Sequence, residues 1–360
     1  VTRIACFTPY PQAGPSVRHR IAALGPGLAE DGATVVVWSF MTGRLYDIRR
    51  TFGALRTAEK LFWLAFGTLR LMARISRLAA FDVVIIHREA FPLGPAWFEG
   101  LIARVNPHLV YDVDDAIWEP PGTGVHQRGV LFRPGRYDDI MRRSRVVAAG
   151  SALLAEHARR CNAQVFVVPT AYGDLGGAAL DRAPPDEPVV MWIGNWGNAV
   201  YLAPIAEALA TVAGRHRFRL LLVGGADIDD LALPGVTVQR ERWREDDERG
   251  RLLGADIGIM PLPDTPYERG KCAFKLIQYM SAGLAVVASP VGANLDVVDD
   301  GVTGFLAADA AGWVRALDRL LADPALRRAQ GRAGYRRYRE RYSVAAVVAS
   351  WRRILAQARS

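Results

Sequence analysis

Two apolar rhythms alternate along this chain. Short, almost unbroken apolar runs are separated by longer stretches in which apolar residues recur every three or four positions. A run that is apolar at successive positions reads as a strand buried on both faces, the pattern of a parallel sheet covered by helices. In the first half the runs are RIACF (3–7), ATVVVW (33–38), DVVIIH (82–87), HLVYD (108–112), RVVAA (145–149) and QVFVV (164–168). Helices are expected near 17–30, 52–79, 94–104, 136–143 and 151–160, with Gly25-Pro26 breaking or ending the first one early. The second half repeats the plan, with strands at 188–193, 218–224, 236–239, 256–260, 284–289 and 304–307. Its helices are expected near 199–213, 244–253, 271–281, 309–322 and 324–341. Between the halves, PTAYGDLGGAALDRAPPDEP has no period and is rich in Gly, Pro and Asp, as a linker is. The expectation is an α/β chain of two Rossmann-like domains, 1–170 and 188–342, with a linker at 171–187 and an amphipathic helix in 343–360.

Length and composition agree with that plan. A chain of 360 residues suits about two domains, each with its own core, and 51% hydrophobic with 23% charged residues is ordinary for a soluble globular protein. Cys6, Cys161 and Cys272 are scattered, with no CxxC and no Cys/His cluster, which argues against a zinc site or a disulfide framework. VTRIACFTPY runs straight into the first strand with no signal peptide ahead of it, and no apolar run approaches the ~18 residues of a spanning helix. A cytoplasmic location is expected.

Charge changes the picture in one region. Residues 1–170 hold 21 basic against 14 acidic residues, so most of the net +8 lies in the first half. Within 41–80, Arg44, Arg49, Arg50, Arg56, Lys60, Arg70, Arg74 and Arg77 oppose only Asp47 and Glu59, and they flank LFWLAFGTLRLM. Two readings stand: a basic amphipathic helix peripheral on an anionic membrane surface, or a core-facing helix with a solvated basic face. The sequence pI of 9.7 also raises nucleic-acid binding, but no helix-turn-helix, zinc or single-strand-binding pattern accompanies it.

Candidate chemistry gathers at predicted strand ends. The chain has 42 Arg and three Lys, and two of those lysines, Lys271 and Lys275, are expected at i and i+4 of one helix led by Gly270, with Gln278 on the same face. A helix N-terminus behind a glycine suits an anion, and lysine adds a compact charge for phosphate. In YDVDDAIW (111–118), Asp112, Asp114 and Asp115 crowd the end of a strand, where three carboxylates repel one another unless the site uses them. His87 ends the strand DVVIIH. TPYPQAGPSVRHR offers a Gly14-Pro15-Ser16 loop ahead of Arg18 and Arg20, which can present backbone N–H groups and guanidinium to phosphate, though it is not G-x-G-x-x-G. Gly194-Asn195 follows the first strand of the second half, and Gly224-Gly225 follows its second. Trp192, Trp196, Trp243 and Tyr267 could pack on a base or sugar, and none is singled out.

The run GKCAFKLIQYMSAGLAVVASPVGANLDVVDDGVTGFLA resembles the nucleotide-sugar-binding segment of retaining glycosyltransferases of family 4, with the same turn positions over nearly forty residues. The resemblance implies the GT-B fold, two Rossmann-like domains facing a central cleft, with the C-terminal helix crossing back to the first domain. It implies transfer of a sugar from a nucleotide diphosphate sugar to the hydroxyl of a glycan, lipid-linked or small-molecule acceptor, with retention, without metal and without a cofactor. On that reading Gly14, Arg18, Gly194, Asn195, Lys271, Lys275 and Gln278 hold the donor, His87 and Asp112 line the acceptor side, and Asp114, Asp115 and Lys275 act in catalysis, with Asp114 and Asp115 orienting the acceptor. The chain departs from the family in two places. The usual Glu, seven residues, Glu pattern falls on Gly270 and Gln278, and the usual basic residues after Gly194-Asn195 are absent between 195 and 214. Glu268, Lys271 or backbone groups are candidates for the missing carboxylate's place. Three other readings stay open: a metal-dependent transferase using Asp112-x-Asp114, a nucleic-acid-binding protein, and a sugar-binding relic without catalysis.

Overall fold

The computed structural model describes residues 1–49, 51, 53–120, 133–194, 197–224 and 233–360. They form two compact α/β domains: the described residues through Ala171 together with Val344–Ser360, and those of Tyr172–Ser343.

In the first domain, β1 (Thr2–Thr8), β2 (Ala33–Ser39), β3 (Val83–His87), β4 (Leu109–Val113), β5 (Val146–Ala149) and β6 (Val165–Val167) form a six-stranded sheet in the order β2-β1-β3-β4-β5-β6. All its pairs are parallel. Every residue of β3, β4 and β5 is buried, as the unbroken apolar runs require. The helices are α1 (Pro15–Arg20), α2 (Gly25–Ala29), α3 (Gly43–Ile48), α4 (Ala54–Ile75), α5 (Trp97–Val105), α6 (Gly135–Arg143) and α7 (Ala152–Arg159). Growth of the sheet reverses between β1 and β3, and in open α/β sheets ligands sit beyond the strand carboxyl ends at such a reversal.

The second domain places β7 (Val189–Ile193), β8 (Arg219–Gly224), β9 (Thr237–Arg242), β10 (Ile257–Met260), β11 (Ala285–Ala288) and β12 (Gly304–Leu306) in the order β12-β11-β10-β7-β8-β9. This sheet is also parallel, and its reversal lies between β7 and β10. Its helices are α8 (Ala206–Ala213), α9 (Glu245–Leu253), α10 (Pro266–Arg269), α11 (Phe274–Ala282), α12 (Asn294–Val297), α13 (Ala310–Ala322) and α14 (Pro324–Arg341).

The last helix, α15 (Val344–Arg359), belongs to the first domain. Its Val347, Val348, Trp351, Ile354 and Leu355 share one buried cluster with Ile4, Cys6, Leu24, Leu28 and Ile85. The imidazole Nδ1 of His108 lies 2.8 Å from the Ala358 carbonyl, and Arg352 pairs with Asp31.

Four local expectations are corrected. The helix expected over 17–30 is α1, a 3-10 turn at Ala22–Leu24, and α2, with Pro26 in the first turn of α2, where its missing N–H costs nothing. Helix α3, not anticipated, starts at Thr42, whose hydroxyl accepts the Leu45 N–H at 3.2 Å. The helix expected over 199–213 is 3-10 through Ile205, around Pro204, and α-helical only from Ala206. The helix expected over 271–281 starts at Phe274, because Ala273 takes a left-handed conformation (φ +53°) and breaks the chain away from α10.

Helix α4 turns most of its apolar run away from the core. Its inner face holds buried Leu71 and Gly67, where a Cβ would stand 2.8 Å from the Phe40 carbonyl oxygen. The outer face carries Leu55, Leu61, Phe62 and Leu69, each more than 60% exposed, with Phe66 and Met72 beside them. The cations are largely tied down: Arg70 donates to the Ser39 and Phe40 carbonyls, Arg74 lies 5.3 Å over the Trp38 ring, and Lys60 donates to the Arg49 and Thr51 carbonyls. No described helix is long and apolar enough to cross a membrane.

The account of α15 predicts that Trp351→Ala destabilises the first domain by about 3–5 kcal/mol, the usual cost of deleting a buried Trp. Hydrogen exchange should speed up at the amides of β1, β3 and β4 and stay unchanged at β7, β8 and β10. Equal acceleration in both sheets would contradict the assignment of α15 to the first domain alone.

Candidate functional site

Each reversal point gathers the chemistry of its own domain. At the β1/β3 reversal, the β3–β4 register sets His87 beside Asp112, so both side chains leave the same face of the sheet. His87 Nδ1 lies 2.7 Å from Asp112 Oδ2, and Nε2 lies 2.6 Å from the Ser16 hydroxyl at the start of α1. Ser16 Oγ donates in turn to Asp114 Oδ2 at 2.7 Å. A hydroxyl has one proton, so donation to Asp114 leaves the Ser16 oxygen to accept from His87 Nε2–H.

Arginines resolve the crowding of carboxylates. Arg20 donates from Nε and Nη2 to Asp112 at 2.9 and 2.7 Å and from Nη1 to the Val168 carbonyl at 2.5 Å. Arg88 reaches Asp114 Oδ1 from Nε and Asp115 Oδ2 from Nη2, both at 2.6 Å. To do so Arg88 adopts φ +61°, a left-handed conformation, and its backbone is pinned by its own N–H to the Asp112 carbonyl at 2.8 Å and by the Tyr111 hydroxyl on its carbonyl at 2.9 Å. Burial by itself would raise the Asp114 carboxyl, but Arg88, His87 and Arg20 together hold it well below the usual carboxylate range. Burial would lower the Arg88 guanidinium, and the charges of Asp114 and Asp115 outweigh it and push it up.

This geometry corrects the sequence expectations. Arg20 does not face a phosphate; it is a buried counter-ion of Asp112. Asp112 and His87, expected on the acceptor side, are fully buried and act as the scaffold that carries Ser16 and Asp114. Asp114, Asp115 and Arg88 remain partly exposed, with side chains 10%, 19% and 17% accessible, and together with Ser16 are the groups of this cluster open to solvent. Gly14 caps α1 ahead of Pro15, and Arg18 is half-buried, its Nε 3.2 Å from His19 Nε2. Among the described residues no cluster of three or more His, Cys, Asp or Glu is arranged to hold a metal ion.

At the second reversal the two strands diverge. The β7–β10 ladder pairs only Val190 with Ile257 and Met191 with Gly258. Beyond it the Tyr279 hydroxyl accepts the Ile193 N–H at 3.1 Å and donates to the Ile259 carbonyl at 3.3 Å, stitching the strands where they separate. The ring lies on Gly258, where a Cβ would come within 2.3 Å of it. Over this gap sits Gly194, at the carboxyl end of β7. A Cβ there would stand 2.6 Å from the Trp192 ring and 3.2 Å from Lys275 Cε, so the glycine is what lets the Lys275 stem lie against the strand end. Lys275 Nζ is 5.6 Å from the Trp192 ring centre. Lys275 lies in the first turn of α11, one turn ahead of Gln278, at the positive end of the helix dipole.

Lys271 is not on that helix. It precedes Ala273, with Nζ 4.7 Å from the Tyr267 ring centre and 5.9 Å from that of Tyr201. Glu268, considered for the missing carboxylate, is fully buried and bonded by the Tyr201 hydroxyl at 2.6 Å and the Thr265 hydroxyl, so it serves packing. Gln278 is buried, and its amide nitrogen donates to Glu248 Oε1 at 3.1 Å. Asn195 and Trp196, and Gly225 after β8, lie outside the described residues.

Sequence reasoning assigned no role to Arg88, Ser16, Glu248 or Tyr279. The available signals were one basic residue directly after His87 at the end of its strand and one hydroxyl in the Gly-Pro loop, which count for little until the sheet order sets them beside the three Asp.

Residues 187–323, fewer than half of the chain, match the family described as glycosyl transferases group 1, and they lie within the second domain. No curated protein matches the chain. Among solved structures it is similar to a glycosyltransferase from Rickettsia africae, with TM-score 0.69 and 14% identity over 99% of this chain and 98% of that one. A sucrose-phosphate synthase from Thermosynechococcus elongatus gives 0.67 and 19% over 99% of each. Anabaena HepE, solved with UDP and glucose, gives 0.65 and 14% over 99% of this chain and 100% of its own. At these identities the likeness establishes the fold, which is GT-B.

The electrostatics around α1 predict a pH response. Burial, then the Arg18 charge, lowers His19 from 6.5 to about 3. A base with a depressed folded-state pKa contributes stability that is fully present above its unfolded value and lost as pH falls towards the folded one. Stability should therefore decline between about pH 6.5 and 3. Asp114 adds its own loss only below the ordinary carboxylate value of 3.8. In urea titrations His19→Gln should flatten the decline above pH 4 or so while leaving the steeper acid limb; an unchanged slope would remove His19 from the account.

Proposed function

We propose that the chain moves a sugar from a nucleoside diphosphate to an acceptor hydroxyl, with retention at the anomeric carbon and without a bound metal. What carries the reading is the meeting, at the β7/β10 reversal, of Gly194, Lys275 and the N-terminus of α11 inside a glycosyl transferases group 1 domain. Cleavage of the bond to the anomeric carbon leaves charge on the departing diphosphate, and fixed cationic and dipolar groups aimed there lower the barrier most. Lys275 supplies the charge, the helix end the dipole, and Gln278 takes the ribose. UDP in the HepE structure favours a uridine nucleotide as the first donor to try.

In the first domain, Asp114 and Ser16 present hydrogen-bonding groups to the acceptor. Asp114 is held so far below the usual carboxylate range that it is a weak base, so it orients the acceptor hydroxyl and does not take its proton. That proton passes to the departing phosphate oxygen as the new glycosidic bond forms on the face the diphosphate leaves. Retention rests on the family resemblance. The metal-dependent alternative is disfavoured by chemistry: Arg20 and His87 already occupy Asp112, and Arg88 occupies Asp114 and Asp115, so a divalent ion would have to displace buried guanidinium.

The outer face of α4 supports peripheral attachment to an anionic membrane, which would suit a lipid-linked acceptor. Its Leu55, Leu61, Phe62 and Leu69 would enter the interface, with exposed Arg56 and Arg77 towards the headgroups. Arg70 and Arg74 hold the helix to the end of β2 and stay with the protein.

Lys275→Ala should weaken UDP binding in calorimetry by about 1.5–3 kcal/mol, the range of a charge-assisted hydrogen bond. Lys60→Ala, whose ammonium holds two carbonyls in the first domain, should leave it unchanged. Equal affinity in wild type and the Lys275 variant would remove Lys275 from the donor site. Excess EDTA should leave sugar transfer intact; activity lost to the chelator and regained with manganese would restore the Asp112-Asp114 metal reading. Sedimentation with phosphatidylglycerol vesicles at low salt should capture the protein, and changing Leu61, Phe62 and Leu69 together to Ser should release it without altering UDP affinity. Protein that remains in the supernatant with such vesicles contradicts the membrane assignment.

A further inference from the structure

We infer that Glu248 is a positioning residue for nucleotide recognition: it orients the Gln278 amide so that its carbonyl oxygen faces the ribose of a ribonucleoside diphosphate. The inference rests on the nucleotide placement proposed above.

An amide has a donating and an accepting end, and which one faces a ligand decides what it recognises. At Gln278 the choice is made from behind. Glu248, on α9, is buried and its carboxylate accepts from Gln278 Nε2 at 3.1 Å, from the Tyr172 hydroxyl at 2.7 Å and from Trp243 Nε1 at 2.6 Å. Each of these three partners presents a donor, so the carboxylate accepts from all three. The acceptor-only character of that group draws the amide nitrogen of Gln278 to it and sends Oε1 the other way. Among the described residues no donor lies within hydrogen-bond distance of Gln278 Oε1. Lys275, the proposed diphosphate ligand, lies one helical turn earlier on α11.

The carboxylate that the resembled pattern carries at position 278 has therefore moved to α9 and acts through an amide. A carbonyl oxygen still accepts the O–H of a ribose and gains nothing from a sugar that lacks it. The site should thus discriminate ribo- from deoxyribonucleotides, as a buried group left unpaired costs binding.

The test measures the affinities of UDP, 2′-deoxy-UDP and 3′-deoxy-UDP for wild type, Gln278→Ala, Glu248→Gln and the exchange variant Glu248→Gln/Gln278→Glu, with folding checked by circular dichroism. Wild type should prefer UDP over at least one deoxy analogue by about tenfold, the worth of one such hydrogen bond. Gln278→Ala should lose that preference. Glu248→Gln should lose it too, because the amide introduced on α9 can then donate to Gln278 Oε1 and turn the Gln278 amide around. The exchange variant keeps one carboxylate and one amide among the same donors and should recover the preference, which a purely structural role for Glu248 does not explain. Wild-type preference in Glu248→Gln, with preference lost in Gln278→Ala, overturns the inference while leaving the ribose assignment standing. Wild-type preference in Gln278→Ala overturns the nucleotide placement itself. If Glu248→Gln does not fold, the exchange variant decides: recovered preference supports the inference and lost preference overturns it.

Discussion

A parallel sheet whose growth reverses direction has to separate a pair of neighbouring strands at their carboxyl ends, and both domains are organised around that separation. In the second domain, after Val190 and Met191 the β7–β10 ladder stops, and the Tyr279 hydroxyl bridges the Ile193 N–H to the Ile259 carbonyl. Burial pushes that hydroxyl well above its ordinary pKa, slightly opposed by the Ile193 bond, so it keeps the proton it donates. The requirement spreads outward. Tyr279 needs Gly258 beneath its ring, its helix needs to start at Phe274, and the start is made by the left-handed Ala273. Lys275 lies against Gly194 at the strand end, one turn ahead of the fixed Tyr279 on the same helix.

The first domain meets the same constraint with charge. At its β1/β3 reversal Ser16 meets His87, which also holds Asp112 on β4, and Arg20 and Arg88 neutralise the carboxylates gathered there. Removing one member leaves a buried charge unpaired, so the cluster stands or falls as a unit. Among the described residues, the two non-glycine residues with left-handed backbones are Arg88 and Ala273, one near each separation. Strained backbone held in place at such points is consistent with sites whose geometry the fold maintains against its own preferences.

Most of the architecture was legible because nearly every strand is an unbroken apolar run; the stretch expected as a linker instead folds with the second domain, with Tyr172 and Leu175 in its core. The twelve described strands fall within two or three residues of the expected spans. The misreadings have physical causes. The break or end expected at Gly25-Pro26 falls a few residues earlier, in the 3-10 turn, because proline is at home in the first turn of α2. Lys271 was placed on α11 because nothing in GKCAF announces a left-handed alanine. The apolar run of α4 left membrane surface and core both open, because nothing in the sequence says that Gly67 and Leu71 form the inner face and leave the larger side chains outside. In the sites, residue types were visible and pairings were not: Arg20 with Asp112 spans 92 positions and Tyr172 with Glu248 spans 76, so their partnership exists only once the sheets are ordered.

The central claim is that the β7/β10 opening holds a nucleoside diphosphate through Lys275, Gly194 and Gln278. A crystal structure with UDP, grown once with EDTA and once with manganese, tests it most directly. The account predicts the same pose in both: the diphosphate against Lys275 Nζ and the Gly194 backbone, and a ribose hydroxyl on Gln278 Oε1. A nucleotide bound away from β7 and α11, or one ordered only with manganese, its diphosphate joined through the ion to Asp112 and Asp114, would contradict it.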